Sequence, residues 1–253
     1  MSKLLQTARR SSSALCEFIF PAQCCLCGTS LASDTEFNEI VLCCLTCLEN
    51  FPDAIEHSCS RCGAEVGAYV DTSKGCNYCK SDSFSFASVI AYGTYESELK
   101  QFCQLSKRPE HQDVTWLVGE RLWQSRRDML SQLQVDCLVT VPMHWTNRLV
   151  RRIHPNETLA KCLSKRLNVP YFRRGLVQRI RTKHQSSLRP SLRRKNIRDA
   201  YRASASSKLR AKNILLVDDI LTTGATAHAC ARLLLAAGCA VVHVAVVARG
   251  IGR

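Results

Sequence analysis

The sequence predicts an α/β domain built on a parallel sheet, preceded by a small domain folded around metal. Three observations lead there. Eight of sixteen cysteines fall into four C-x-x-C pairs, all before residue 80. After them, short runs of Val, Ile and Leu alternate with stretches of helical apolar spacing, the pattern of strands joined by crossover helices. Finally, I-L-L-V-D-D-I-L-T-T-G-A-T over 214–226 joins an apolar strand to a helix through two carboxylates, hydroxyls and a glycine. The expected domains are 18–83 and 84–253.

The cysteine pairs come first along the chain. They are Cys24/Cys27, Cys44/Cys47, Cys59/Cys62 and Cys76/Cys79, with sixteen residues between the first two pairs and thirteen between the last two. A C-x-x-C knuckle presents two thiolates to one ion, and two knuckles complete a closed tetrahedral site. The segment has few long apolar stretches, so metal must supply what its core cannot. Two zinc ribbons in series are expected, each with one structural zinc ion, held by Cys24, Cys27, Cys44 and Cys47 and then by Cys59, Cys62, Cys76 and Cys79, with interleaved pairing of the same ligands as the alternative. Gly28 and Gly63 directly follow a knuckle, where the turn needs positive φ. Redox dithiols seldom come four at a time, which disfavours that chemistry. Cys25 and Cys43 adjoin ligands without C-x-x-C partners. Cys16, Cys103, Cys137, Cys162, Cys230 and Cys239 are scattered and read as small buried hydrophobes.

From residue 84 the elements follow in order. The segment 86–95, rich in Val, Ile and Tyr, reads as a strand. Residues 99–105 and 114–133 have helical spacing. Residues 135–141 form a short apolar strand closed by Pro142. Residues 159–167 are amphipathic and end near Pro170, and 176–180 reads as a short strand. The stretch 181–195 is basic and interrupted by Pro190, hence a loop at its start. Residues 214–217 form a strand buried on both faces, 225–237 a helix, and 241–247 a last buried strand. No run of eighteen apolar residues is present, so a membrane span is not expected. The mixed, polar start argues against a secretory signal, and a cytoplasmic location is the default expectation.

Charge is concentrated. The formal charge is +14. Between His144 and Lys212, twenty Lys and Arg face two acids, a net +18 that leaves −4 for the rest. Such asymmetry suits polyanions, whether phosphate-rich ligands or nucleic acid. Aromatics near it are few, and no stacking pattern is visible.

Ligands of parallel sheets bind outside the carboxyl ends of the strands. A helix N-terminus with hydroxyls and glycine offers free N–H groups to an anion. The 214–226 segment thus offers acceptors for sugar hydroxyls beside a cradle for phosphate, and it resembles the phosphoribosyl diphosphate (PRPP) loop of type I phosphoribosyltransferases. That resemblance implies that Asp218 and Asp219 hold ribose, while Thr222, Thr223, Gly224, Ala225 and Thr226 wrap the 5-phosphate. It also implies Mg²⁺, with the turn after Val141 as a diphosphate loop contacted by His144 and Arg148. The basic stretch would be a lid, with Arg181, Arg193, Arg194 and Lys195 facing the leaving diphosphate or nucleic acid.

The order of parts narrows the likeness. Four C-x-x-C pairs, V-P-x-H, a basic stretch and the PRPP loop together resemble the ComF family from about residue 18 onward. In the basic stretch, Arg181, Thr182, Gln185, Leu188, Arg193, Arg194, Asn196, Ala200 and Tyr201 carry the resemblance. It implies support of DNA uptake in natural transformation, with single-stranded DNA and uptake proteins as partners. The family's R-G-F-N-Q-A is replaced here by Arg151-Arg152-Ile153-His154-Pro155-Asn156, which lacks the glycine and the Asn-Gln pair. The alternatives are an active phosphoribosyltransferase of unknown acceptor and a ligand-sensing scaffold.

Overall fold

The computed structural model describes residues 22–31, 43–108, 111–142, 154–178, 201–203 and 207–251. His144, Arg148, the departing residues 151–153, and Arg181, Arg193, Arg194 and Lys195 lie outside them. The chain divides into two compact units, Met1–Phe51 and Pro52–Arg253. The smaller holds the first cysteine set and a short helix α1, Leu45–Glu49. The larger holds the sheet and the second cysteine set.

In the larger unit, strands β1 (Ser88–Thr94), β2 (Cys137–Thr140), β5 (Asn213–Leu221) and β6 (Val241–Arg249) form one parallel sheet of order β1-β6-β5-β2. Their register is set by Ile90↔Ala245, Leu215↔His243 and Leu138↔Leu215. The strands are apolar almost throughout because helices cover both faces. The 176–180 expectation is realised as β3 (Leu176–Gln178). It pairs antiparallel with β4 (Tyr201–Ala203) in a ribbon separate from the main sheet.

Helices α2 (Ser97–Leu105), α3 (Gln112–Gln132) and α4 (Pro155–Leu167) pack on one another and on the sheet. Helix α5 (Ala225–Ala236) covers the other face. There Ala227, Cys230, Ala231 and Leu234 meet Val89, Val139, Ile214, Leu216, Val244 and Val246 in one buried core. Each such Leu, Ile or Val contributes about 1.5–3 kcal/mol on leaving water. Cys103, Cys137, Cys162, Cys230 and Cys239 are all buried, as expected of small hydrophobes.

Helix α4 shows why sequence dictates boundaries. Pro155 sits in its first turn beside Glu157, Lys165 and Arg166 lie in its last, and Asn168 takes the left-handed cap at φ 55°. Each signal suits the helix dipole or the terminal backbone. Buried Glu120 of α3 accepts from Arg166 Nε at 2.8 and 3.0 Å and from Cys162 Sγ at 3.3 Å, which fixes α3 against α4.

Candidate functional site

The pairing of β2 with β5 is in register up to Thr140↔Val217. Beyond that point β5 continues beside β6 to Leu221↔Arg249. Asp218 and Asp219 therefore lie within a strand longer than its apolar run suggested, at the carboxyl end of the sheet. This is the crevice where parallel sheets bind ligands.

The two carboxylates meet different partners. Asp218 Oδ1 accepts from Asn156 Nδ2 at 2.8 Å and from the Asp219 amide at 3.0 Å. Asn156 also donates to the Val141 carbonyl at 3.3 Å, so the first turn of α4 is pinned to the ends of both β2 and β5. Burial, and then the negative charge of Asp219, hold the Asp218 carboxyl well above the usual carboxylate range. Asp219 turns to Lys107, whose Nζ lies 3.1 Å from Oδ2. It also lines a small cavity with Cys103, Ser106, Thr115, Leu159 and Val247. Burial alone would lower the Lys107 ammonium, but Asp219 more than offsets that and lifts it above the ordinary lysine value. Lys107 and Asn156 are site residues the sequence reading did not assign. Lys107 stands in no motif, Asn156 ends the Arg151–Asn156 stretch that departs from the family motif, and only the tertiary fold brings them to the acidic pair.

The loop follows immediately. Gly224 adopts φ 73° as the cap of α5, and a Cβ there would stand 3.0 Å from Phe84. A glycine is therefore required both for the left-handed turn and for the ring behind it. Thr222 and Thr223 are exposed, while Ala225 and Thr226 open the helix half-buried. Thr223 Oγ1 accepts from the Ala225 amide at 3.3 Å. The first-turn amides of a helix have no intrahelical partner and sit at the positive end of its dipole. The loop is held from behind by Arg249. Its guanidinium donates to the carbonyls of Leu221 (3.1 Å), Thr222 and Gly250.

The cysteines form two separate sets, Cys24, Cys27, Cys44, Cys47 and Cys59, Cys62, Cys76, Cys79. Within each, the Sγ atoms lie inside 4.8 Å of one another. The pairing is thus sequential, which resolves the open alternative. In the second set, Sγ distances are 3.5 Å (Cys62–Cys76), 3.8 Å (Cys59–Cys79) and 3.9 Å (Cys76–Cys79). A tetrahedron of sulfurs about 2.3 Å from zinc has edges of about 3.8 Å, so the residues fit that ion. The two first knuckles are copies of one turn. Cys24 N bonds Thr29 O and Gly28 N bonds Cys24 O; Cys59 N bonds Ala64 O and Gly63 N bonds Cys59 O. Gly28 and Gly63 have φ 73° and 70°, as expected. All four ligands of the second set are buried, whereas Cys27 is exposed and Cys44 and Cys47 half-buried in the first. Cys43 is buried beside the first set, with its Sγ 4.0 Å from Cys24 Sγ. Among the described residues no helix is long and apolar enough to cross a membrane.

Comparison with known proteins agrees with this geometry. Residues 157–253 match the phosphoribosyl transferase domain family. Competence protein F of Haemophilus influenzae is 26% identical over 184 residues, covering 70% of this chain and 77% of the relative. DNA utilization protein YhgH of Escherichia coli K12 is 32% identical over 110 residues, which span 43% of this chain and about half (47%) of that relative. The YhgH protein of Salmonella typhi is 26% identical over 191 residues, 74% of this chain and 81% of the relative. Among solved structures, a glutamine PRPP amidotransferase from B. subtilis, complexed with ADP and GMP, aligns at 21% identity and a TM-score of 0.39. That alignment covers 58% of this chain and 30% of that one. The chain is thus similar to Competence protein F and to DNA utilization protein YhgH, residues 157–253 match the phosphoribosyl transferase domain family on a parallel-sheet fold, and its two Cys₄ clusters are of the kind that hold zinc.

Proposed function

We propose that the protein binds PRPP, or a related ribose 5-phosphate, and serves DNA uptake from the cytoplasmic side. Asp218 and Asp219 take the ribose hydroxyls, and the backbone and hydroxyls of Thr222, Thr223, Gly224, Ala225 and Thr226 take the phosphate. One observation carries this reading: a half-buried acidic pair at the carboxyl end of β5 runs directly into a glycine-turned helix N-terminus. His144 and Arg148 supply positive charge to the diphosphate, and Arg181, Arg193, Arg194 and Lys195 close over it. Mg²⁺ is held by one or two carboxylates plus substrate oxygens in such sites, and Asp218 and Asp219 are the carboxylates available. The basic segment between His144 and Lys212 binds single-stranded DNA through its phosphates, with low sequence preference and steep salt dependence.

Calorimetric titration of zinc-loaded protein with PRPP and Mg²⁺ tests the site, with Asp219→Ala as control. Heat with wild type and none with the variant supports it; no heat with wild type overturns it. If the ligand matters to uptake, Asp219→Ala also abolishes transformation while leaving salt-sensitive DNA binding nearly intact.

The raised Asp218 carboxyl favours a second reading, because titratable groups perturbed in this way concentrate where chemistry is done. In it the site turns PRPP over: diphosphate leaves C1 as the acidic pair orients the ribose and the lid cations receive the leaving charge. Release of diphosphate with a supplied acceptor separates this from a site that only senses ligand.

A further inference from the structure

The second Cys₄ cluster lies directly behind the phosphate loop; two contacts join them, and a third ties the cluster's knuckle to the sheet. The first is Arg249, the last residue of β6, which is only 6% exposed. Its Nε donates to the carbonyl of Cys62, a cluster ligand, at 2.8 Å. The same guanidinium donates to the carbonyls of Leu221, Thr222 and Gly250. Each of these four bonds ends on backbone, so the side chain fixes the spacing between knuckle and loop. The second contact is Phe84. It packs on the cluster's apolar shell and on the main core, and its ring backs Gly224. The next residue, Ser85, donates its amide to His228 Nδ1 in the first turn of α5 at 3.0 Å. The third joins the knuckle to the sheet: the Val89 amide of β1 bonds the Ser60 carbonyl at 2.8 Å.

Electrostatics gives the arrangement a reason. Four thiolates around one zinc ion carry a formal net charge of about −2. A buried guanidinium is costly unless compensated, and a metal-loaded cluster at the Cys62 carbonyl supplies that compensation. With the cluster filled, Arg249 has its balancing charge and the loop carbonyls are held back.

We infer that the second cluster braces the phosphate loop through Arg249, so that metal at Cys59, Cys62, Cys76 and Cys79 and ligand at Thr222–Thr226 stabilise one another. The ligand half of this inference rests on the ribose-phosphate reading above. Arg249 is a positioning residue: it touches the loop from the side away from the ligand. Linkage makes the effect reciprocal. Whatever factor the metal adds to ligand affinity, the ligand adds to metal affinity.

The test uses the full chain carrying Arg249→Gln, which leaves every cysteine in place, beside wild type. Zinc content and circular dichroism confirm that the variant is loaded and folded. Hydrogen exchange is read at the amides of 220–226, with 213–217 in the same strand as internal reference. Faster exchange at 220–226 by about tenfold or more, as loss of a hydrogen bond from a charged group implies, with 213–217 unchanged, is the expected result. Wild-type exchange at 220–226 in a loaded variant overturns the brace. If the variant fails to fold, removal of zinc from wild type by a chelator gives the same comparison. Retained protection at 220–226 after the second cluster is emptied is then the overturning result. PRPP separates a positioning role from a merely structural one. It slows zinc loss from the second cluster in wild type and leaves that rate unchanged in Arg249→Gln. Absence of PRPP binding to loaded wild type refutes the ribose-phosphate reading alone, because the exchange measurement decides the brace without ligand.

Discussion

Replacing Asp218 by Asn stabilises the protein while damaging its site. The Asp218 carboxyl is half-buried and lies against a second acid, Asp219, and both effects disfavour its charged form in the folded state. Both hydrogen bonds it receives, from Asn156 Nδ2 and the Asp219 amide, fall on Oδ1. An asparagine keeps that acceptor and sheds the charge. The gain is about 1–2 kcal/mol, the usual yield when a functional strain is relieved. That is roughly 3–6 °C in Tm for a unit of this size. The sign follows from linkage. A carboxyl raised in the folded state binds its proton more tightly there than in the unfolded chain. Wild type therefore loses stability as pH climbs from about 4, the ordinary carboxylate value, through the raised one, and is level beyond it. Thermal melts of wild type and Asp218→Asn at pH 4 and pH 8 should differ little at the first and by the full amount at the second. Asp219→Asn, which strips Lys107 of its partner, should not stabilise. An equal gain at both pH values, or a loss at pH 8, refutes the reasoning.

Other changes have definite expected outcomes. Gly224→Ala puts a side chain at φ 73° and 3.0 Å from Phe84, which costs about 1–3 kcal/mol; an unchanged Tm would show that the turn relaxes freely. Arg166→Met leaves Glu120, whose side chain is 3% exposed, charged and unpaired, a loss of about 3–5 kcal/mol by urea titration. Glu120→Gln should cost less, because Arg166 is 26% exposed and reaches water. A chelator should remove zinc in two phases, the faster from the cluster whose Cys27 is exposed and the slower from the fully buried set. Cys24→Ser should delete the fast phase, and loss of the slow phase instead would reverse the assignment.

Much of the larger unit was legible because its signals are local. Buried strands such as Ile214 to Val217 read as unbroken apolar runs, and the amphipathic 159–167 gave most of α4, though its first turn from Pro155 was missed because that turn is polar. The cysteine spacing named all eight ligands and favoured their in-series pairing, but spacing alone could not exclude interleaving, which depends on how the knuckles meet in space. What stayed hidden is tertiary. The acidic pair continues β5 because β6 offers a partner as far as Arg249, and nothing in D-D-I-L encodes that neighbour. Lys107 and Arg249 are common residue types outside any motif, and Asn156 stands where the family motif is lost, yet each reaches the acids or the loop. The packing of the second cysteine set against β1 was equally invisible, because the Ser60–Val89 bond joins segments that look like parts of different domains.

The strand order also governs when the sheet can exist. Strand β6 lies between β1 and β5, and its His243 bonds Ser88, 155 residues earlier. During synthesis β1, β2 and β5 leave the ribosome with the central partner still missing, so β1 waits unpaired on the side β6 will occupy. Such non-local closure is slow. Throughout that interval the knuckle at Cys59 and Cys62 is already made and needs only nearby chain to capture its ion. Metal captured at that stage would order the Ser60 carbonyl that meets the Val89 amide, giving β1 one fixed backbone contact before its sheet neighbour exists.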